Sequence, residues 1–311
     1  MKTRVITGIL ITLATALLIV PGYKYPILPI FFFLLVSVIS LVELSGALKN
    51  KLPEVSSAMS VIASLGIFVP LINIIIRKRE FELIFFKEPI ISPNILDDYR
   101  LSILKNITES LAMLVAFFVI YSFFAVTILI VSKGGDKVLE AVLTVFSGIY
   151  VVFPYACAMA ILFFIPNGLL WLILAIISAW ITDVFAFFAG VTFGKHKIIP
   201  QISPKKTWEG TIGGVIGTTA LVTVWMVFIM NGPDIVEKSK ISLVAFGLVL
   251  GLLVSVISQT GDWFASIIKR RVDIKDYGFV LPGHGGIMDR FDGVLFTLPT
   301  VLVAALIYYL L

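Results

Sequence analysis

The chain is short of charge, cysteine and histidine, and each shortage narrows what it can be. Only 14% of its 311 residues are charged, against 59% hydrophobic, whereas a soluble domain carries about 25% charge. Such a chain finds its solvent in lipid. Its single cysteine, Cys157, lies inside an apolar run, so no disulfide can form within the chain and the redox compartment stays open. With one cysteine and two histidines there is no Cys/His cluster to hold zinc. No GxxxxGK(S/T) stretch occurs, which excludes a P-loop enzyme. A triad of Ser266, His284 and Asp289 can be written on paper, but no GxSxG supports it. Internal repeats and low-complexity tails are missing too.

What the chain has in abundance is long apolar runs. A membrane span needs about 20 apolar residues, and nine candidates occur, near 5–21, 26–47, 57–76, 111–132, 139–164, 168–191, 211–231, 241–260 and 294–311. The expectation is an all-α, polytopic integral membrane protein. Residues 1–76 form an N-terminal three-span part and 77–110 an interfacial or loop segment. Residues 111–165 form a two-span middle part and 166–311 a four-span catalytic part. Lys2 and Arg4 precede the first run with no A-x-A-like site after it, so a retained span is expected rather than a cleaved signal.

Net charge is +5, but the basic residues sit between apolar runs. Lipid headgroups and phosphorylated substrates therefore suit them better than nucleic acid. Lys195, Lys197, Lys205 and Lys206 crowd one loop; Lys269, Arg270, Arg271, Lys275 and Arg290 crowd another, two spans later. The two loops share a side, which the positive-inside rule makes cytoplasmic. The RKR at 77–79 falls on the other side under a nine-span count.

Three polar stretches carry the chemistry. In TGDWFASIIKRRVDIKD, a helix running out of the membrane places Asp262, Ser266, Lys269, Arg270 and Asp273 on one stripe. A carboxylate with cations one to two turns away suits a magnesium-bound polyphosphate; a snorkelling basic collar explains the cations alone. In PGHGGIMDRFDG, Asp289 and Asp292 share a face of the last span's first turn, where acids also suit the helix dipole. The glycines before them would let backbone N–H groups approach a ligand's oxygens, with His284 donating to a phosphate or to the backbone. In GKHKIIPQISPKKTWEG, Ser203 and Pro204 make a turn, Thr207 caps the seventh span and Glu209 lies in its first turn. Lys205 and Lys206 then stand at a helix N-terminus, where an anion is welcome. Asp183, deep in the sixth span, must face protein or a watery cavity. Glu43 in the second span stays unassigned.

The run SxxKRxxxxKDxGxxLPxHGGxxDRxD, from Ser266 to Asp292, resembles the signature of the phosphatidate cytidylyltransferases without a departure, and SPKKTWEG resembles the family's other known stretch. The resemblance implies a transferase that joins CTP and phosphatidic acid into CDP-diacylglycerol and pyrophosphate, with Mg2+ and a second, monovalent cation such as K+. It further implies Asp262, Asp289 and Asp292, with Asp183, as metal ligands. Lys205, Lys206, Lys269, Arg270, Lys275 and Arg290 would meet phosphates, and Ser203, Thr207, Ser266, Glu209 and His284 would bind or orient substrate. The expected partners are CTP, phosphatidic acid and membrane lipid, with no nucleic acid and a homodimer allowed. The expected place is a cytoplasmic membrane, site towards the cytosol. A CTP-dependent kinase of lipid alcohols and a transporter of phosphorylated metabolites are the competing readings.

Overall fold

A computed structural model describes residues 2–25, 27–76, 93–230, 239–281 and 285–310. Among these residues the chain is helical throughout, with no strand beyond two isolated bridges. The helices are α1 (Lys2–Ile19), α2 (Ile27–Leu48), α3 (Ser57–Ile62), α4 (Val69–Ile76), α5 (Pro93–Lys133), α6 (Val138–Phe164), α7 (Gly168–Phe193), α8 (Trp208–Phe228), α9 (Lys240–Arg271) and α10 (Met288–Leu310).

Among the described residues seven helical stretches are long and apolar enough to cross a bilayer: Ile27–Leu48, Arg100–Lys133, Gly135–Phe164, Gly168–Phe193, Trp208–Phe228, Lys240–Arg271 and Met288–Leu310. The described residues do not confirm the expected count of nine. Ser57–Asn73 is apolar but shorter, and at 1.5 Å per residue a helix under about 18 residues falls short of the ~30 Å hydrocarbon core; Thr12–Gly22 is the described apolar part of the longer α1. The stretch expected as a third span is also broken, because a 3₁₀ segment, Ala63–Phe68, separates α3 from α4. Residues 93–110, expected as an interfacial segment, are helical and continuous with the following span; the RKR at 77–79 lies outside the described residues. Large apolar side chains such as Phe123, Phe187, Phe228 and Ile241 are exposed, an outer surface that suits lipid contact. The chain is an integral membrane protein on this ground.

The contacts divide the chain into two compact units. The first comprises Met1–Asn73, Thr108–Met159 and Ile267–Phe291. Its centre is aromatic: Phe33 meets Phe32 at 5.2 Å and Tyr155 at 5.7 Å, and Phe291 meets Phe32 at 6.1 Å and Tyr155 at 6.5 Å. Ring pairs at such separations add about 0.5–1.5 kcal/mol each beyond burial. Polar side chains also tie helices together in this unit. Ser45 donates to Ser57 at 2.9 Å, Asn73 donates to Ser110 at 2.9 Å, and the Ser56 amide donates to Thr144 at 3.0 Å.

The second unit comprises Ile74–Ile107, Ala160–Ser266 and Asp292–Leu311. Trp171, fully buried, packs edge-on against Tyr308 at 5.4 Å and against Phe246 and Tyr309 at 6.4 Å. Helices α7 and α8 lie very close: a Cβ at Gly213 would overlap that of Ala189, so only glycine fits there. Thr182 and Thr218 share a buried hydrogen bond of 2.8 Å across the same pair, and Thr297 donates to the Ala175 carbonyl at 2.8 Å. These contacts hold the helix ends from which the polar side chains described next project.

Candidate phosphate and cation site

In the second unit the loop after α7 folds back on the start of α8. Ile198 N donates to Lys206 O at 3.3 Å and Trp208 N to His196 O at 3.0 Å, with a bridge between Lys197 and Thr207. Lys206 N donates to Ser203 O at 3.3 Å, which closes the Ser203–Pro204 turn expected from sequence. Thr207 caps α8 as expected, its hydroxyl accepting from Gly210 N at 3.2 Å. Glu209 holds the loop from the helix side: Oε1 lies 2.6 Å from His196 Nδ1, and both carboxylate oxygens accept from His196 N at 3.3 Å. These contacts make Glu209 a strap on the loop. His196 was missed by sequence reasoning; the only signal was a histidine a loop's length before an acid that opens a helix.

This loop, α7 and α9 enclose a cavity of about 420 Å³. Its polar lining is Lys197, Lys205, Lys206, Thr207, Asp183, Gln259, Thr211 and Asp262, and its apolar lining includes Phe187 and Val191. The Lys206 ammonium pairs with the Asp262 carboxylate, about a quarter of each side chain being exposed, and lies 5.6 Å from the Trp263 ring centre. Ser266 Oγ donates to Asp262 Oδ1 at 3.4 Å, the i,i+4 neighbour that the stripe predicted. An ammonium has three N–H groups, so Lys206 can hold Asp262 and still donate to an anion. Ser203 is not among the lining residues.

In the first unit Lys269 reaches Asp289 at 2.7 Å, with side chains only 10% and 3% exposed. The second oxygen of Asp289 accepts from Tyr277 N at 2.8 Å and Gly286 N at 2.9 Å. Lys269 also lies 5.3 Å from the Tyr277 ring centre. Gly285, with φ of 81°, supplies the left-handed residue that brings the loop back on itself, and Leu281 N donates to Gly285 O at 3.0 Å. Glu43, unassigned from sequence, accepts from Ile287 N at 3.1 Å and Met288 N at 2.8 Å. The glycine-rich stretch was expected to aim its amides at a ligand. Among the described residues the amides of Tyr277, Gly286, Ile287 and Met288 go instead to Asp289 and Glu43. His284 lies outside the described residues.

The stripe along α9 holds to Arg270 and then stops. Ile274 N donates to Lys269 O at 2.9 Å, and Arg270 donates to Ile274 O at 2.8 Å. Asp273 has φ of 58°, so it stands outside the helix and pairs at 2.5 Å with Lys51. Asp289 and Arg290 lie in the first turn of α10 as expected. Asp292, 6% exposed, accepts from Gly293 N at 2.8 Å. Lys275 follows the end of α9 and lies in no helix.

Among the described residues no three His, Cys, Asp or Glu side chains group as a ready metal cage. The cavity wall nevertheless offers carboxylates and a hydroxyl, hard oxygen donors, in a space roomy enough for waters and phosphates. That is the donor chemistry Mg2+ takes, with several positions left to water and substrate, so the residues fit the ion.

Seven helices long and apolar enough to span a membrane, two lysine–aspartate pairs and a cavity lined by lysines define the class as a polytopic membrane protein. The sequence model of the Cytidylyltransferase family matches residues 2–309, and the chain belongs to that family. It is 41% identical over 132 residues to the phosphatidate cytidylyltransferase of Bacillus subtilis, covering 42% of this chain and 46% of that one. It is 39% identical over 132 residues to that of Rickettsia felis, covering 42% and 57%. It is 36% identical over 179 residues to that of Mycobacterium tuberculosis H37Rv, covering 57% and 50%. The chain thus spans about half the length of the curated relatives it matches.

Proposed function

We propose that the chain is a nucleotidyltransferase that moves the cytidylyl group of CTP to phosphatidic acid, giving CDP-diacylglycerol and pyrophosphate for phospholipid synthesis. The observation that carries this reading is the α7–α8–α9 cavity, where Lys197, Lys205 and Lys206 line the same space as Phe187 and Val191. A phosphate attached to acyl chains needs both linings; a soluble phosphate needs only the polar one. Family membership and the relatives' names support the same reaction.

The nucleophile is an oxygen of the lipid's phosphate monoester, already ionised at neutral pH, so no residue has to take a proton from it. It attacks the α-phosphorus of CTP. A P–O bond forms there, the bond from the α-phosphorus to the bridging oxygen of the β-phosphate breaks, and pyrophosphate leaves with that electron pair. The obstacle is repulsion, about 4 kcal/mol for each pair of unit charges 4 Å apart at an effective dielectric of 20. Lys205 and Lys206 offset part of it by binding phosphate oxygens, and Lys269, Arg270, Lys275 and Arg290 add basic charge from the signature. Thr207 and Ser266 hold the cap of α8 and the Asp262 carboxylate in place. Asp262 and Asp183, which line the cavity, would hold Mg2+ or a monovalent cation such as K+. Bound magnesium would supply charge neutralisation on the phosphoryl oxygens and the leaving pyrophosphate.

The polar site faces the cytosol in this reading, because CTP arrives from there and the lysine-rich loops obey the positive-inside rule. The decisive experiment incubates purified protein in lipid with CTP labelled on the α-phosphate, with phosphatidic acid or with a lipid alcohol. Label in lipid and free pyrophosphate with phosphatidic acid alone are expected. Release of CDP with the alcohol identifies a kinase and overturns the proposal.

A further inference from the structure

The signature loop is held by a residue outside the signature. Glu43 lies near the end of α2, is 8% exposed, and projects its carboxylate onto the N-terminus of α10. One oxygen accepts from Ile287 N and the other from Met288 N. Two glycines of the signature make room for it: a Cβ at Gly278 or at Gly286 would overlap the Glu43 carboxylate. Asp289, the next residue after Met288, takes the amides of Tyr277 and Gly286. Two carboxylates thus consume four loop amides, and one of them arrives from a helix more than two hundred residues away in sequence. The N-terminus of a helix attracts an anion; here the protein's own glutamate fills that place. It fixes both the angle at which α10 begins and the position of the Asp289–Lys269 pair.

We infer that Glu43 is a positioning residue of the transferase: a helix cap supplied in trans that sets the start of α10 and the carboxylate of Asp289. This rests on the functional reading above and adds to it a residue from the N-terminal part of the chain. Glu43→Gln keeps the shape but puts an amide NH2, a donor, against one of the two N–H groups. Loss of an outer partner of a metal or substrate ligand costs about 10–100-fold in activity or metal affinity. A fall in kcat of that size is expected in Glu43→Gln, with the KM for CTP changed less than about threefold, because both Glu43 oxygens are taken by backbone amides. Glu43→Asp, which keeps the charge and two acceptors but is one methylene shorter, should recover part of kcat. Gly286→Ala displaces the same carboxylate from the opposite side and should reproduce the loss with Glu43 present; it serves also if the glutamine variant fails to accumulate.

Amide exchange provides a readout independent of activity. Exchange at Ile287 and Met288 should accelerate by about tenfold or more in Glu43→Gln, while exchange at buried α6 amides stays as in the wild type. If wild-type protein releases no pyrophosphate from CTP, the functional reading fails and the exchange result still judges the cap. If the wild type is active and Glu43→Gln or Gly286→Ala keeps its kcat within twofold, the inference is overturned. A loss confined to the amount of folded protein, with kcat per folded molecule unchanged, overturns it equally.

Discussion

The molecule uses a lysine–aspartate pair twice, and the two pairs live in different surroundings. Lys269–Asp289, in the first unit, is almost wholly buried, with side chains 10% and 3% exposed, and two backbone amides complete the coordination of the carboxylate. Lys206–Asp262, in the second unit, is about a quarter exposed and lines a cavity. In a low dielectric an ion pair survives only when its remaining lone pairs and protons are satisfied, and the first pair meets that condition. The second lines a cavity, and an ammonium with three N–H groups keeps donors beyond the one carboxylate it meets. One pair shapes a loop; the other is poised to exchange partners. The same two residue types therefore carry opposite expectations for mutation.

The largest effect is expected at the buried pair. Asp289→Ala strands the Lys269 ammonium and the amides of Tyr277 and Gly286, and breaking a buried pair costs about 3–5 kcal/mol. Turnover should vanish and thermal unfolding should begin markedly earlier. Asp289→Asn, which still accepts from an amide, should unfold later than the alanine variant yet remain inactive. An alanine variant as heat-stable as wild type would erase the distinction between the pairs.

At the exposed pair the pattern should invert. Asp262→Ala removes a partly solvated carboxylate, whose ion pair is worth about 1 kcal/mol or less, so stability should hardly move. Activity should fall by about 100-fold or more if the carboxylate holds a cation against the reacting phosphates, a contribution of several kcal/mol. Lys206→Ala should come next: loss of one charge-assisted hydrogen bond, about 1.5–3 kcal/mol, predicts a KM for CTP or phosphatidic acid raised about 10–100-fold. Measuring both KM values tells which phosphate the lysine meets. Unchanged kinetics in Lys206→Ala would reduce the pair to a loop fastener and remove the contrast.

How much of this was legible in the sequence depends on how far apart the partners lie. The spans from α6 onward follow from uninterrupted apolar runs, and the Thr207 cap from its place before one of them. The N-terminal part was harder, because 57–76 reads as a span although Ala63–Phe68 tightens into a 3₁₀ stretch. There a small residue, Gly66, lies where a Cβ would crowd Phe117 and Val152, a contact no local pattern announces. At the site, the i,i+4 relation of Asp262 and Ser266 was readable from helical period. The Lys269–Asp289 pairing was not, since the residues belong to different helices, nor was the hold of Glu43 on Ile287 and Met288. A glycine of the stretch that reads as a cradle for a ligand, Gly286, also makes room for a side chain of the protein itself. Composition alone cannot separate those two uses, because both need a bare backbone.

The smallest expected effect tests the other helix start. In α8 the cap is local: Thr207 Oγ1 accepts from Gly210 N at 3.2 Å, whereas α10 relies on Glu43 from a distant helix. Replacing a threonine cap by alanine costs about 1 kcal/mol. The Thr207 hydroxyl also lies against Gly190 and Gly194 of the α7 end, where a Cβ would press on it, so Thr207→Ala removes contact as well as a hydrogen bond. Thr207→Ser keeps the cap and loses only the methyl. The serine variant should match wild type in stability, and the alanine variant should lose about 1 kcal/mol with a KM raised only a few-fold, because Lys205 and Lys206 precede the cap and keep most of their frame. A cap loss that abolished turnover as completely as Asp262→Ala would mean that Thr207 touches substrate directly, and the local cap would then be part of the binding site and not only its support.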